Sequence, residues 1–227
     1  MAPHNIWLSC PPLARAGDEV KCFINFGHYF TVQGKADPLR TRAWMVTPGG
    51  EKMPLSIADG ETELAISFTP TSTGTYTVLA EYDGKIWSIA GDGRHLRGPR
   101  ADQPGIEIEK SVYYYQCAKA FITVEEDITW PGPSGTELEI IPHPNNGGVL
   151  PVTVTYGGKP LADAQVYAFR QGDQPAHIAR TDNMGKANLP LAPGSWMLLV
   201  SHQDPAKGVA GQYDERGLTA VFTFTQT

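Results

Sequence analysis

The chain has 227 residues, 41% of them apolar, 10% aromatic and 19% charged, enough for one large or two ordinary domains with real cores. A net charge of -6 and a pI near 5.5 exclude a basic nucleic-acid surface, and no run approaches the roughly 20 apolar residues of a membrane-spanning helix. Glycine (24) and proline (19) are abundant without period, which implies many turns between short strands rather than collagen or disorder.

Residues 4–10 and 18–28 alternate apolar and polar, as half-buried strands do. The first sets His4, Ile6, Leu8 and Cys10 on one face. The second does the same for Val20, Cys22, Ile24, Phe26 and His28. Pro11, Pro12 and Ala16-Gly17-Asp18 turn the chain between them. A simple hairpin pairing Cys10 with Asp18 puts His4 opposite Ile24, four residues short of His28. Strands are next expected at 42–46 and 64–68, around a Pro48-Gly49-Gly50 turn.

Gly74-Thr75-Tyr76 leads into an alternating strand and resembles the tyrosine corner of immunoglobulin-like sandwiches. Val78 stands where antibody domains place their second cysteine, so Cys22 is expected to lack that partner and to serve as a small buried apolar residue. Three cysteines allow at most one internal disulfide, and no CxxC spacing suggests zinc or redox chemistry.

Residues 83–110 read as a long functional or mobile loop, and 111–124 as a long strand closing a first domain over residues 1–130. Residues 131–144, opening on Pro131-Gly132-Pro133, read as a linker. Strands at 149–155, 164–170, 187–191, 196–201 and 220–225 then make a second sandwich over 145–227. The expected fold is all-β: two β-sandwich domains, immunoglobulin-like first, transthyretin- or immunoglobulin-like second.

Several stretches together resemble an exported domain family of unknown function associated with nickel and cobalt uptake transporters. They are His4-x-x-Trp7; Phe26-Gly27-His28-Tyr29-Phe30; Ala118-Lys119-Ala120 with Leu138-Glu139-Ile140-Ile141-Pro142; and Gly158-Lys159-Pro160-Leu161-Ala162 with Val166. The closing Ala220-x-Phe222-x-Phe224 agrees. The second half alone also resembles carboxypeptidase-regulatory-like and transthyretin-like modules. The resemblance implies a periplasmic or extracellular protein whose signal segment is not in this sequence, since Met1-Ala2-Pro3-His4 runs directly into a strand.

Imidazole is the usual protein ligand for Ni(II), Cu(II) and Zn(II), which directs attention to the six histidines. His4 opens the first strand and His28 closes the second, on the inward phase of each, so both fall at one end of the sandwich. His95 lies in the long loop and can swing over the same pole. The amino-terminal copper/nickel chelate is barred in its usual form, because Pro3 has no backbone N–H to deprotonate. The expected metal residues are therefore His4, His28 and His95, for nickel or else copper, cobalt or zinc. It is the resemblance that implies nickel first among these ions and a membrane metal transporter as the partner.

No GxSxG, HExxH, P-loop or GxGxxG motif points to an enzyme. Glu125-Glu126-Asp127 reads as a solvated turn. The alternative function is carbohydrate binding through Trp7, Trp44, Trp87, Trp130, Trp196 and Tyr113–Tyr115, or a structural and adhesive role without metal.

Overall fold

The computed structural model describes residues 4–125, 130–145, 147–173 and 176–226. The chain is all-β, built as β-sandwich layers. In chain order the first half comprises β1 (Asn5–Ser9), β2 (Leu13–Ala14), β3 (Val20–His28), β4 (Thr31–Gly34), β5 (Thr41–Val46), β6 (Lys52–Leu55), β7 (Ile57–Asp59), β8 (Leu64–Phe68), β9 (Gly74–Ala90), β10 (His95–Arg97) and β11 (Ile108–Val124). The second half comprises β12 (Leu138–Pro142), β13 (Val149–Tyr156), β14 (Lys159–Pro160), β15 (Gln165–Arg170), β16 (His177–Arg180), β17 (Lys186–Pro190), β18 (Gly194–Asp204) and β19 (Glu215–Gln226). No helix among the described residues is long and apolar enough to cross a membrane.

The two halves share one sheet. Its order is β16-β15-β18-β19-β11-β9-β5-β6, and the junction is a parallel ladder from Val112↔Glu215 to Ala120↔Thr223. A five-stranded sheet, β1-β3-β8-β7 with β4 on β3, packs on one face of this large sheet. A four-stranded sheet of β12, β13, β14 and β17 packs on the opposite face. Strand period explains how one strand serves two cores: Ala118, Ala120, Ile122 and Val124 of β11 line the first, whereas Phe121 lines the second. On β19, Val221 faces the first core, and Ala220 and Phe222 face the second.

The stretch expected as a linker contains β12, whose five residues are all buried. Its anchor is Glu139, which accepts hydrogen bonds from Lys119 Nζ (3.0 Å), the Ser134 N–H (2.7 Å), Ser134 Oγ (2.6 Å) and the Gly135 N–H (3.1 Å). Lys119 comes from β11, and both side chains are at most 5% exposed. This ion pair therefore clamps the crossover between the halves onto the large sheet. A buried charge pair whose carboxylate accepts several further hydrogen bonds contributes geometry more than raw stability.

The tyrosine corner is present: Tyr76 Oη accepts the Ser72 N–H at 3.1 Å and lies 3.2 Å from the Ser72 carbonyl. Residues 83–110 differ from the expected loop. β9 continues to Ala90 and pairs with β10 and β11, so half of the segment is a paired ribbon rather than loop.

Candidate functional site

Antiparallel pairing of β1 with β3 runs from Asn5↔Gly27 to Ser9↔Phe23. Continued by one residue at each end, this register sets Cys10 opposite Cys22 and His4 opposite His28. Both pairs form real contacts. Cys10 and Cys22 are joined by a disulfide with Cα atoms 4.5 Å apart. The His4 and His28 ring centres lie 4.7 Å apart with planes at 75°.

The expected register is thus corrected by four residues, and Cys22 has a partner after all, within its own sheet. The reason is the path between the strands. Instead of closing a tight hairpin, residues 11–19 cross to the large sheet, where Leu13 and Ala14 pair with Thr123 and Val124. That excursion consumes the residues that a simple hairpin would have paired.

A Cα separation of 4.5 Å marks a non-hydrogen-bonded antiparallel pair, the kind in which side chains approach most closely. His4, Ile6, Leu8 and Cys10 share this phase, so their backbone groups point away from β3. The large sheet meets them with side chains. The Ile6 N–H donates to Gln116 Oε1 and Gln116 Nε2 donates to the His4 carbonyl, both at 2.8 Å. Thr223 Oγ1 donates to the Leu8 carbonyl at 2.7 Å. Gln116 thereby acts as a one-residue strand partner and fixes the backbone that carries His4.

His28 is positioned by the β3–β4 hairpin, whose two loop residues, Tyr29 (φ 51°) and Phe30 (φ 65°), are both left-handed. Such turns favour Asn-Gly, and each non-glycine residue in that region costs about 1–2 kcal/mol. Packing offsets this: Tyr29 lies 4.3 Å from Phe169 between ring centres, and Phe30 packs on the first core. Gly27 permits the close approach, because a Cβ there would collide with the Thr31 carbonyl oxygen. His28 Nδ1 is 2.6 Å from Gln33 Oε1. A carbonyl oxygen only accepts, so Nδ1 is the donor in this contact.

His4 is half-buried, and its pKa is lowered, first by desolvation and then by repulsion from a charged His28. His4 is accordingly disposed to be neutral at pH 7, the state in which imidazole binds metal. Two imidazoles on one ion at about 2.0–2.1 Å hold their ring centres roughly 4.5–5 Å apart, which the observed 4.7 Å matches. The same spacing also suits edge-to-face ring packing, and Phe26 makes such a contact with His4 at 5.0 Å. Among the described residues no group of three or more His, Cys, Asp or Glu side chains is placed to hold one ion. Further donors would have to be water, Gln33 or groups from a partner.

His95 is not brought to this pair. It is exposed on β10 opposite Ile89, seven residues along β9 from Tyr82, whose ring contacts Phe26. That is about 23 Å of strand. Of the other histidines, His143 bonds Thr153 Oγ1 at 2.7 Å, His177 lies beside Trp196, and His202 packs on Tyr156. Residues 1–3, with the amino terminus, and Glu126 and Asp127 of the carboxylate run lie outside the described residues.

The aromatic residues considered for sugar stacking are largely engaged already. Trp7 and Trp196 are core, Lys52 lies over Trp44 and Arg97 over Trp87, and Arg216 faces both Tyr113 and Tyr115. Trp130 is half-buried.

No curated protein matches the chain. Among solved structures it is similar to a DUF4785 family protein from Legionella pneumophila subsp. pneumophila str. Philadelphia 1, at 12% identity over 85% of this chain and 52% of that one, with a TM-score of 0.33. It is also similar to a tetra-tandem repeat in the extending region of a large adhesion protein, at 11% identity over 99% of this chain and 49% of that one, with a TM-score of 0.29. The chain spans about half the length of each, and at these scores neither likeness carries a functional reading. A family model matches residues 1–204, nearly the whole chain, under the description of a domain of unknown function; it assigns neither nickel uptake nor a transthyretin-like module. The chain therefore belongs to the DUF4198 family of domains of unknown function.

Proposed function

We propose that this protein captures a divalent transition-metal ion outside the cytoplasm, nickel first among those considered, and serves a membrane uptake system as an accessory. The observation that carries the reading is the register placing His4 directly opposite His28, with their rings at a spacing two imidazoles adopt on one ion. The depressed His4 pKa and the Nδ1–Gln33 contact of His28 favour a ligating pair. The Cys10–Cys22 disulfide supports export, because such bonds persist in oxidising compartments. Nickel rests on the family resemblance; by ligand chemistry alone copper binds the same donors more tightly. An open site with two protein ligands suits an ion that is to be handed on.

Calorimetric titration of metal-stripped protein with Ni(II), Cu(II), Co(II) and Zn(II) tests this. Micromolar or tighter binding is expected, weakened at least tenfold in the His4→Ala/His28→Ala variant and unchanged in His95→Ala. Equal affinity in the double variant would falsify the site.

A further inference from the structure

The disulfide and the histidine pair are two ends of one register. β1 has only five paired residues, and its backbone partner in its own sheet is β3. Beyond Ser9 the chain leaves through Cys10, Pro11 and Pro12, and the prolines cannot donate to a ladder. The pairs Cys10/Cys22 and His4/His28 share the same face and phase six residues apart, so fixing the first fixes which residue the His4 ring meets. A one-residue slip would turn His4 to the other face. A two-residue slip would keep the face and set it against Phe26.

We propose that oxidation of Cys10 and Cys22 is what makes the His4–His28 pair competent for metal, so that the chain acquires its ion only after reaching an oxidising compartment. The proposal rests on the metal reading above. The chemistry is thiol–disulfide exchange with a disulfide-bearing oxidant. One cysteine thiolate attacks a sulfur of the oxidant's disulfide and releases the oxidant's first thiolate. The second cysteine, as thiolate, attacks the protein sulfur of the mixed disulfide and releases the other. Two electrons pass to the oxidant, which leaves as a dithiol carrying the two protons. Cys10 is half-buried and lines an open cleft with Ser9 and Pro12, which gives a reagent its approach; Cys22 is fully buried behind it. Cys117, the third cysteine, is buried on the other face of the large sheet with Trp44 and Leu79 and cannot substitute.

The experiment compares three metal-stripped samples by Ni(II) calorimetry: oxidised protein, protein reduced and alkylated with the reductant removed, and the Cys10→Ser/Cys22→Ser variant. Amide hydrogen exchange at Trp7 and Ser9 is followed in parallel as a metal-independent report on β1. The proposal expects the apparent Kd to rise at least tenfold in both disulfide-free samples, with faster exchange at Trp7 and Ser9 and an unchanged far-UV spectrum. Equal Kd in all three overturns it while leaving the metal site standing. Absence of Ni(II) binding by the oxidised protein overturns both readings together. Loss of binding with unaltered exchange in β1 also overturns it, since register control is then not the cause.

Discussion

His4 combines two destabilising influences on its own charge, burial at the sandwich end and a second imidazole 4.7 Å away. Its folded pKa therefore lies below the ordinary 6.5. The unfolded chain then binds more protons between the two values, so stability rises with pH across that window. Acidification removes it as pH falls from 6.5 toward the folded value. A proton-by-proton NMR titration is expected to find His4 below 6.5 in the metal-free protein, and His28→Ala to move it upward. A His4 titrating at or above 6.5 in the wild type would show that the rings do not face each other. Cys117 illustrates the opposite consequence of burial, which pushes its thiol up to about 12. With so little thiolate at pH 8 and no access, it is expected to resist alkylation in the native protein and to react on unfolding. Stoichiometric labelling under native conditions would contradict that packing.

Elements rather than single residues decide whether the two histidines meet. The β3–β4 hairpin depends on Gly27, whose Cβ position is taken by the Thr31 carbonyl. Gly27→Ala is expected to cost about 1–3 kcal/mol and to displace His28 from Gln33. Denaturant unfolding together with the His28 side-chain NMR signals checks both, and an unperturbed hairpin would refute the collision.

Much of this level is legible in the sequence. Alternation placed His4 and His28 on the inward faces of adjacent strands, and the Gly-x-Tyr pattern located the corner at Tyr76. The register was not legible, because Leu13 and Ala14 give no periodic signal of pairing with a strand 110 residues away. The disulfide escaped for the same reason: antibody-type spacing looks for a partner across the sandwich, whereas Cys10 is the cross-strand neighbour. The ribbon at 83–110 was hidden by its turn-forming composition, since Gly84, Gly91 and Gly93 interrupt any alternation. β12 was masked by the flanking prolines, although Leu138, Ile140 and Ile141 are all buried.

At the scale of the whole molecule, the shared sheet makes the halves interdependent. The ladder between β11 and β19 joins them edge to edge, and each half also contributes to the other's core: Phe169, Met197, Leu199 and Val221 to the first, Phe121 to the second. The Lys119–Glu139 pair ties the crossover to this junction. Removing one charge leaves the other buried without its counter-ion, at a cost of about 3–5 kcal/mol, whereas replacing both with apolar groups of similar size is close to neutral. Lys119→Met is thus expected to destabilise strongly, and Lys119→Met/Glu139→Leu to recover most of the loss; additive single effects would argue against direct coupling. The junction also predicts how the chain comes apart. Two sandwiches on a flexible linker would melt separately, and a fragment ending near residue 125 would stay folded. Here such a fragment bares the β11 edge from Val112 to Ala120 and strips four apolar side chains from the first core, and an open apolar edge is a template for aggregation. Calorimetry of the full chain should therefore show one transition with matching calorimetric and van't Hoff enthalpies, and the 1–125 fragment should aggregate or fail to fold. Two resolved transitions, or a monomeric fragment that retains the Tyr76 corner, would mean that the parallel ladder is a weak docking contact between independent domains.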